Sequence, residues 1–442
     1  MKNKIIIFCI LIFFILGASL YSFHFLKTDR TYGDENIHSW QIQQFRSGDF
    51  KLHPNLTTLP GYHYLMYSFI RIPKVASIHN MRILTFAFGI LALLFFYLCA
   101  KIISPGDADI KTLQFFFLPI LFQYFFLIYT DVVSLLFVLI ALFFVLKKHN
   151  IISFVFIFAS ILIRQTNIIW LLFIFVAIFL REYQNNNLPQ PLLRKEGNDK
   201  KFPPLANVLP LTKGELEGVD TQCPGRLGGV FTHCKKNILF IAGIMAFGAF
   251  IFLNKGFALG DKEMHPWFSF HMGNIYIALI AFFFLFLPLN IYNFKKIVLF
   301  IKKKPLVLGF LFILFLVYIF TSTYMHHYNE ERYVFYIKNV LLVFLNKHII
   351  IRLLFFIPIA YSILSLCVTK LHEKWQYLLY PASILLLLPS SLIEHRYYII
   401  PFSLFILFKK NQPKWIEYSQ IAIFIIASLG IMYGLSQEKF FF

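Results

Sequence analysis

Apolar runs of about 15 to 20 residues recur from one end of the chain to the other, separated by short polar joints. Each is close to the ~20 residues that cross a ~30 Å hydrocarbon core, and in lipid only a helix satisfies its own backbone over such a run. The pattern predicts spans at about 5–25, 83–102, 112–128, 132–146, 151–163, 167–180, 237–254, 273–292, 305–322, 353–369, 376–391, 397–408 and 415–435. A shorter run from Val334 to Leu345 reads as re-entrant or as lying along the outer interface. The fold class is therefore an all-α polytopic membrane protein with about thirteen crossings, fourteen if that run also crosses.

Charge supplies the orientation. Lys2 and Lys4 precede the first run, which lacks a small-residue cleavage site and is read as an uncleaved span. Lys101, Lys111, Lys147, Lys148, Lys295, Lys296, Lys302, Lys303, Lys304, Lys409 and Lys410 all fall in joints on the same side by parity. That is the positive-inside arrangement, so these joints face the cytoplasm. The formal charge of +20 thus reports topology, and no nucleic-acid partner is expected. The five cysteines have no metal-binding spacing and imply no disulfide framework.

The chain divides into an N-terminal transmembrane module (1–181), a segment from 182 to 236, and a C-terminal transmembrane module (237–442). The middle segment is rich in Pro, Gly and charge, poor in aromatic residues, and unable to bury a core, so it reads as a flexible cytoplasmic linker or insertion. The outer side then holds a long first loop (24–82), the joint Tyr129-Thr130-Asp131, the joint at Arg164, and loops at 255–272, 323–352 and 392–397. The loop at 255–272 carries Asp261, Glu263, His265, Trp267 and His271. Asp34, Glu35, Asp131, Arg164, His265, Arg332 and Arg396 all fall on this one face. Ionisable groups near membrane depth are costly, and several converging on one side point to a functional cavity.

Particular strings sharpen this: Tyr-x-Asp-Glu-x-x-His at 32–38, Thr-Thr-x-Pro-Gly at 57–61, Tyr-Thr-Asp at 129–131 and Arg-Gln-Thr-Asn-Ile-Ile-Trp at 164–170. His-x-Tyr-x-x-x-Arg-Tyr-x-Phe-Tyr at 326–336 and Arg-Tyr-Tyr-Ile-Ile-Pro at 396–401 follow in order. Together they resemble the dolichyl-phosphate-glucose-dependent α-1,2-glucosyltransferases, which add the last glucose to the lipid-linked oligosaccharide precursor of asparagine glycosylation. The chain departs from that pattern at Gly33, at Asn36-Ile37, at Asn329-Glu330-Glu331 and in 182–236.

The resemblance implies a multispanning glycosyltransferase of the GT-C type. Its donor would be a polyprenyl- or dolichyl-phosphate glucose, its acceptor a lipid-linked oligosaccharide, and its site the lumenal, periplasmic or external face of the membrane. A β-linked glucosyl phosphate giving an α product inverts in one displacement, so it needs a base on the acceptor hydroxyl and donors for the departing phosphate. Asp34 is the first choice as base and Glu35 the second. Arg332, Arg396, Arg164 and His395 are the candidates for the phosphate, because Arg presents a planar fork that Lys lacks. His38, Thr57, Thr58, Asp131, Gln165, His326, Tyr333 and Tyr397 are expected to bind substrate. No metal or other cofactor is expected. A lipid-linked transferase using another sugar such as mannose fits the same residues, and a polytopic lipid or sugar transporter is the alternative of a different class.

Overall fold

The computed structural model describes residues 2–26, 30–71, 77–187, 237–265, 270–322 and 326–441. The body of the 182–236 segment, with Cys223 and Cys234, lies outside the described residues, as does Trp267. Of the described residues 77% are helical, and among them there is no strand, only two isolated bridges. It is an all-α protein with several apolar helices of membrane-spanning character.

The N-terminal module contains α1 (Lys2–Phe25), α2 (Glu35–Ser47), α3 (Gly61–Ile70), α4 (Ile78–Ile103), α5 (Ala108–Phe116), α6 (Pro119–Phe122), α7 (Thr130–Leu146), α8 (Asn150–Ile163) and α9 (Ile168–Asn187). Helix α7 is buried along most of its length and packs against α4 and α8. The long first loop is therefore not irregular. Helix α2 is amphipathic, burying Glu35, His38, Ile42 and Phe45, and it stops at Gly48, whose φ of 85° is cheap only without a Cβ. Helix α3 covers it, with Phe45 and Tyr64 stacked at 4.4 Å. Pro60 ends the preceding loop, and Gly61 lets α3 approach α8 closely, because a Cβ there would lie 2.4 Å from the Leu162 carbonyl oxygen.

The C-terminal module contains α10 (Ile238–Asn254), α11 (Gly273–Leu285), α12 (Leu287–Lys303), α13 (Leu306–Thr321), α14 (Ile337–Lys347), α15 (Ile349–Leu354), α16 (Phe356–Val368), α17 (Leu379–Leu387), α18 (Ile399–Phe408) and α19 (Lys414–Ser436). Helix α14 is 11 residues long, or about 16 Å at the helical rise, too short to cross. Its apolar side is buried through Leu342 and Leu345, together with Lys338 and Asn339.

Two expected crossings are broken. The run 112–128 splits at Phe117, and Pro119 starts a new short helix; from there to α7 the chain turns by 105°. The run 273–292 splits at Phe286, just before Pro288, with a bend of 96° between α11 and α12. Proline at the first turn suits a new helix but cannot continue the old one, which is why apolar content alone overstates these runs. Among the described residues four helices are long and apolar enough to cross a membrane, or up to six counting each bent pair as one span, with four shorter apolar helices besides. The expected thirteen do not map one to one. The first break carries Tyr129, Thr130 and Asp131 to the N-terminal end of α7, beside the first loop.

On the side rich in lysine, Lys409 and Glu417 form a buried ion pair at 2.6 Å. Lys111 donates to the carbonyls of Leu407 and Lys409 at 2.8 and 2.7 Å, and Gln114 donates to Glu417 at 2.6 Å. This network ties α5, α18 and α19 together opposite the candidate site.

Candidate active site

Gly33 has a φ of 58°, and a side chain there would collide with the Tyr129 hydroxyl. That hydroxyl donates to the Tyr32 carbonyl at 2.9 Å and accepts from the Asp34 amide at 2.8 Å, so one phenol fixes the turn that precedes α2. The two adjacent carboxylates then part. Glu35 is fully buried, and the structure does not bring it into the cavity. Its oxygens accept from Arg82 at 3.0 and 2.6 Å, from the Ile128 amide at 2.8 Å and from the Tyr32 amide at 2.9 Å. Arg82 also donates to the Arg30 carbonyl at 2.6 Å. A carboxylate so engaged anchors the loop to α4 and to the joint that precedes α7, which corrects its expected placement beside Asp34 as an alternative base.

Asp34 keeps its carboxylate 44% exposed and starts a row of alternating charge. Arg396 donates to it from Nη1 at 2.8 Å and to Glu394 from Nε at 2.6 Å, and Glu394 is paired in turn with the buried Lys338. Burial pulls the Asp34 pKa up, but the Arg396 charge and hydrogen bond outweigh it and leave the carboxyl below its usual range. The Arg396 guanidinium also lies over the Tyr129 ring, 5.3 Å from its centroid.

Asp34, His38, Arg164, Lys338, Arg396 and Tyr397 line one polar cavity of about 410 Å³. Against it lies a smaller pocket of about 190 Å³ with mostly apolar walls, including Ile168, Ile169, Phe257, Leu385 and Leu386. Thr57, Thr58, Arg164, His265 and Tyr397 line both spaces. Arg164 is therefore at the junction, ion-paired with the buried Asp131 and over the Tyr397 ring at 5.9 Å. Gln165 donates to the carbonyls of Thr57 and Phe257 at 3.0 and 3.3 Å, tying the two threonines to the start of the 255–272 loop. Backbone bonds from Leu259 to Thr57 and from Gly260 to Leu56 complete this clamp.

The remaining sequence candidates separate. Tyr333 lines the polar cavity, but Arg332 is half exposed, contacts His327, and lines a different groove with His326, Glu330 and Lys347. His326 bonds the Met264 carbonyl at 3.2 Å. His395 is buried behind the cavity, 2.6 Å from the Tyr124 hydroxyl. Neither Arg332 nor His395, both expected to hold the donor phosphate, lines the polar cavity. Sequence reasoning missed Lys338, Glu394, Tyr129 and Tyr336, which line the cavity, and Phe441, which reaches it through backbone bonds with Phe335 and Ile337. Glu394 adjoins a motif already singled out; Lys338 sits in a lysine-poor outer segment, a signal that was open to notice. Among the described residues no cluster of three His, Cys, Asp or Glu side chains is placed to hold a metal ion.

A family model described as the DIE2/ALG10 family matches residues 28–407, a stretch that contains this site from Asp34 to Arg396. The chain belongs to that family. Similar curated proteins include the Dol-P-Glc:Glc(2)Man(9)GlcNAc(2)-PP-Dol alpha-1,2-glucosyltransferase of Arabidopsis thaliana, 26% identical over 85% of each chain. The protein of the same name from Rattus norvegicus is 24% identical over 90% of this chain and 88% of its own. No solved structure matches the chain. The family resemblance drawn from the six strings therefore holds across nearly the whole molecule.

Proposed function

We propose that the chain transfers glucose from a polyprenyl-phosphate glucose to a lipid-linked oligosaccharide, forming an α-1,2 bond with inversion. The observation that carries the site assignment is Arg164 standing where an apolar pocket opens into a polar cavity. A lipid-phosphate sugar has that same order of parts: an apolar chain, an anionic phosphate and a polar ring. The first isoprene units occupy the apolar pocket, the phosphate meets Arg164, and the glucose extends toward Asp34. The family's curated relatives carry names stating this donor and acceptor, which supports the reading.

In the displacement, Asp34 accepts the proton of the acceptor hydroxyl as its oxygen bonds to the glucose anomeric carbon. The bond from that carbon to the phosphate oxygen breaks, and the phosphate leaves on its lipid with the electron pair. Arg164 stabilises the departing phosphate with charge-assisted hydrogen bonds, which in a water-poor site lower the barrier by several kcal/mol. Arg396 keeps Asp34 ionised and oriented. The donor's negative charge partly offsets that of Arg396, raising the proton affinity of Asp34 when the substrate is bound. Glu35 anchors the loop, and the reaction takes place on the lumenal or external face, opposite the lysine-rich joints.

Purified protein in lipid, supplied with dolichyl-phosphate glucose and a diglucosylated lipid-linked oligosaccharide, should yield one added glucose released by an α-1,2-specific glucosidase. Dolichyl-phosphate mannose should not substitute. Transfer of mannose in preference to glucose would overturn the sugar assignment, and absence of transfer with either donor would overturn the function.

A further inference from the structure

Two buried histidines sit beside the cavity, and the proposed chemistry uses neither. His38 on α2 and His63 on α3 approach at 3.0 Å, Nδ1 of the first to Nε2 of the second, in the middle of the α2–α3 interface. His38 is almost wholly buried yet lines the cavity, and its other nitrogen has no partner in the protein among the described residues. His63 is fully buried, and its Nδ1 makes no hydrogen bond. The His38 ring is further enclosed by the edges of Tyr62 and Tyr129, each at 5.7 Å.

One proton lies between the two rings, and its donor decides what the cavity sees. If His38 donated, His63 would have to carry its remaining N–H on the unpartnered Nδ1, and orphaned buried N–H groups are the rarer kind. If His63 donates, its Nδ1 is a bare acceptor, and His38 carries its proton on Nε2. The nearby Asp34 carboxylate favours a positive N–H edge on this side over a second lone pair. Burial holds both rings neutral, pushing His38 down to about 4 and His63 well below the usual imidazole value. Neither acts as a cation.

We propose that His63 is a positioning residue for the transfer reaction: its Nε2–H bond to His38 locks His38 as the Nε2–H tautomer, a neutral hydrogen-bond donor aimed at a sugar oxygen beside Asp34. A donor there orients the substrate without supplying charge that would compete with Arg396 for the base. The role in transfer rests on the proposed function; the tautomer does not.

The test is therefore made in two arms on the full chain. In the first, histidine-15N magic-angle-spinning spectra of the protein in lipid bilayers, with the His38 signals found by their loss in His38→Gln, report which nitrogen bears the proton. Protonated Nε2 and unprotonated Nδ1 are expected, and His63→Leu should mix the two tautomers. In the second, His63→Gln keeps an amide donor near the Nε2 position and should stay within about 3-fold of wild type in kcat/KM, whereas His63→Leu should lose ~10-fold. In a His38→Gln background, His63→Leu should cost nothing further, because the bond it would break is already gone. A proton on His38 Nδ1 overturns the proposal. So does an undiminished His63→Leu loss in the His38→Gln background, or a stable His63→Gln as impaired as His63→Leu. Correct spectra with no glucosyl transfer by the wild type would sink the functional reading and leave the tautomer assignment standing.

Discussion

Arg396 holds the Asp34 carboxylate at 2.8 Å, and its charge outweighs the burial that would otherwise raise the Asp34 pKa. The pair makes a sign prediction. With Arg396 in place, Asp34 stays ionised to a pH below the ordinary carboxylate value. In Arg396→Gln the burial contribution remains and the main opposing charge is lost, so the Asp34 pKa rises. The acid limb of the kcat/KM profile should move to higher pH in this variant, with a loss of rate at neutral pH. A profile whose acid limb stays in place would mean that another group sets it.

Glu35 at the start of α2 and Arg82 near the start of α4 are paired within the protein, and there a broken pair leaves an uncompensated buried charge. Loss of one partner in such a pair typically costs ~3–5 kcal/mol. Glu35→Gln should therefore lower the thermal unfolding temperature in detergent markedly, while Asp34→Asn, at a half-exposed position, should change it little. Comparable stability in both variants would contradict the separation of the two carboxylates into anchor and base.

That separation marks the limit of what adjacent letters can tell. Asp34 and Arg396 were both visible as site residues because each stands in a distinctive string on the outer side. The partner of Glu35, however, is 47 positions away near the start of an apolar helix, and no local pattern distinguishes a satisfied carboxylate from a poised one. Arg332 misled for the converse reason: it stands in a motif-like string next to Tyr333, but two adjacent residues at a helical turn face different spaces, here the outer groove and the cavity. The helical class followed from apolar length. The breaks before Pro119 and Pro288 did not, because hydropathy averages over the residue that ends a helix. His63 was passed over because a lone histidine in an apolar stretch gives no sign of the ring it meets.

Gly33 should tolerate no side chain. A residue with a Cβ at φ of 58° costs roughly 1–2 kcal/mol, and the added carbon also displaces the Tyr129 hydroxyl that fixes the Asp34 amide. Gly33→Ala should fold with reduced stability and lose more activity than stability predicts; kcat measured well below the unfolding temperature checks this. Wild-type kcat would show that the turn does not position Asp34.

Arg164 and Arg332 should respond differently to replacement by lysine. At the junction of the two pockets, Arg164→Lys keeps the charge but loses the fork, and the KM for dolichyl-phosphate glucose should rise by roughly 10-fold. Arg332→Lys, facing the outer groove, should leave the donor KM near wild type. The reverse pattern would move the phosphate to Arg332.

The most direct measurement is turnover by purified Asp34→Asn with dolichyl-phosphate glucose and lipid-linked oligosaccharide, alongside its thermal stability. The substitution is nearly isosteric and removes the proton acceptor, so the protein should fold while its kcat falls by ~10²–10⁴, with donor KM little changed. A folded Asp34→Asn variant with wild-type turnover would contradict the assignment of Asp34 as the base.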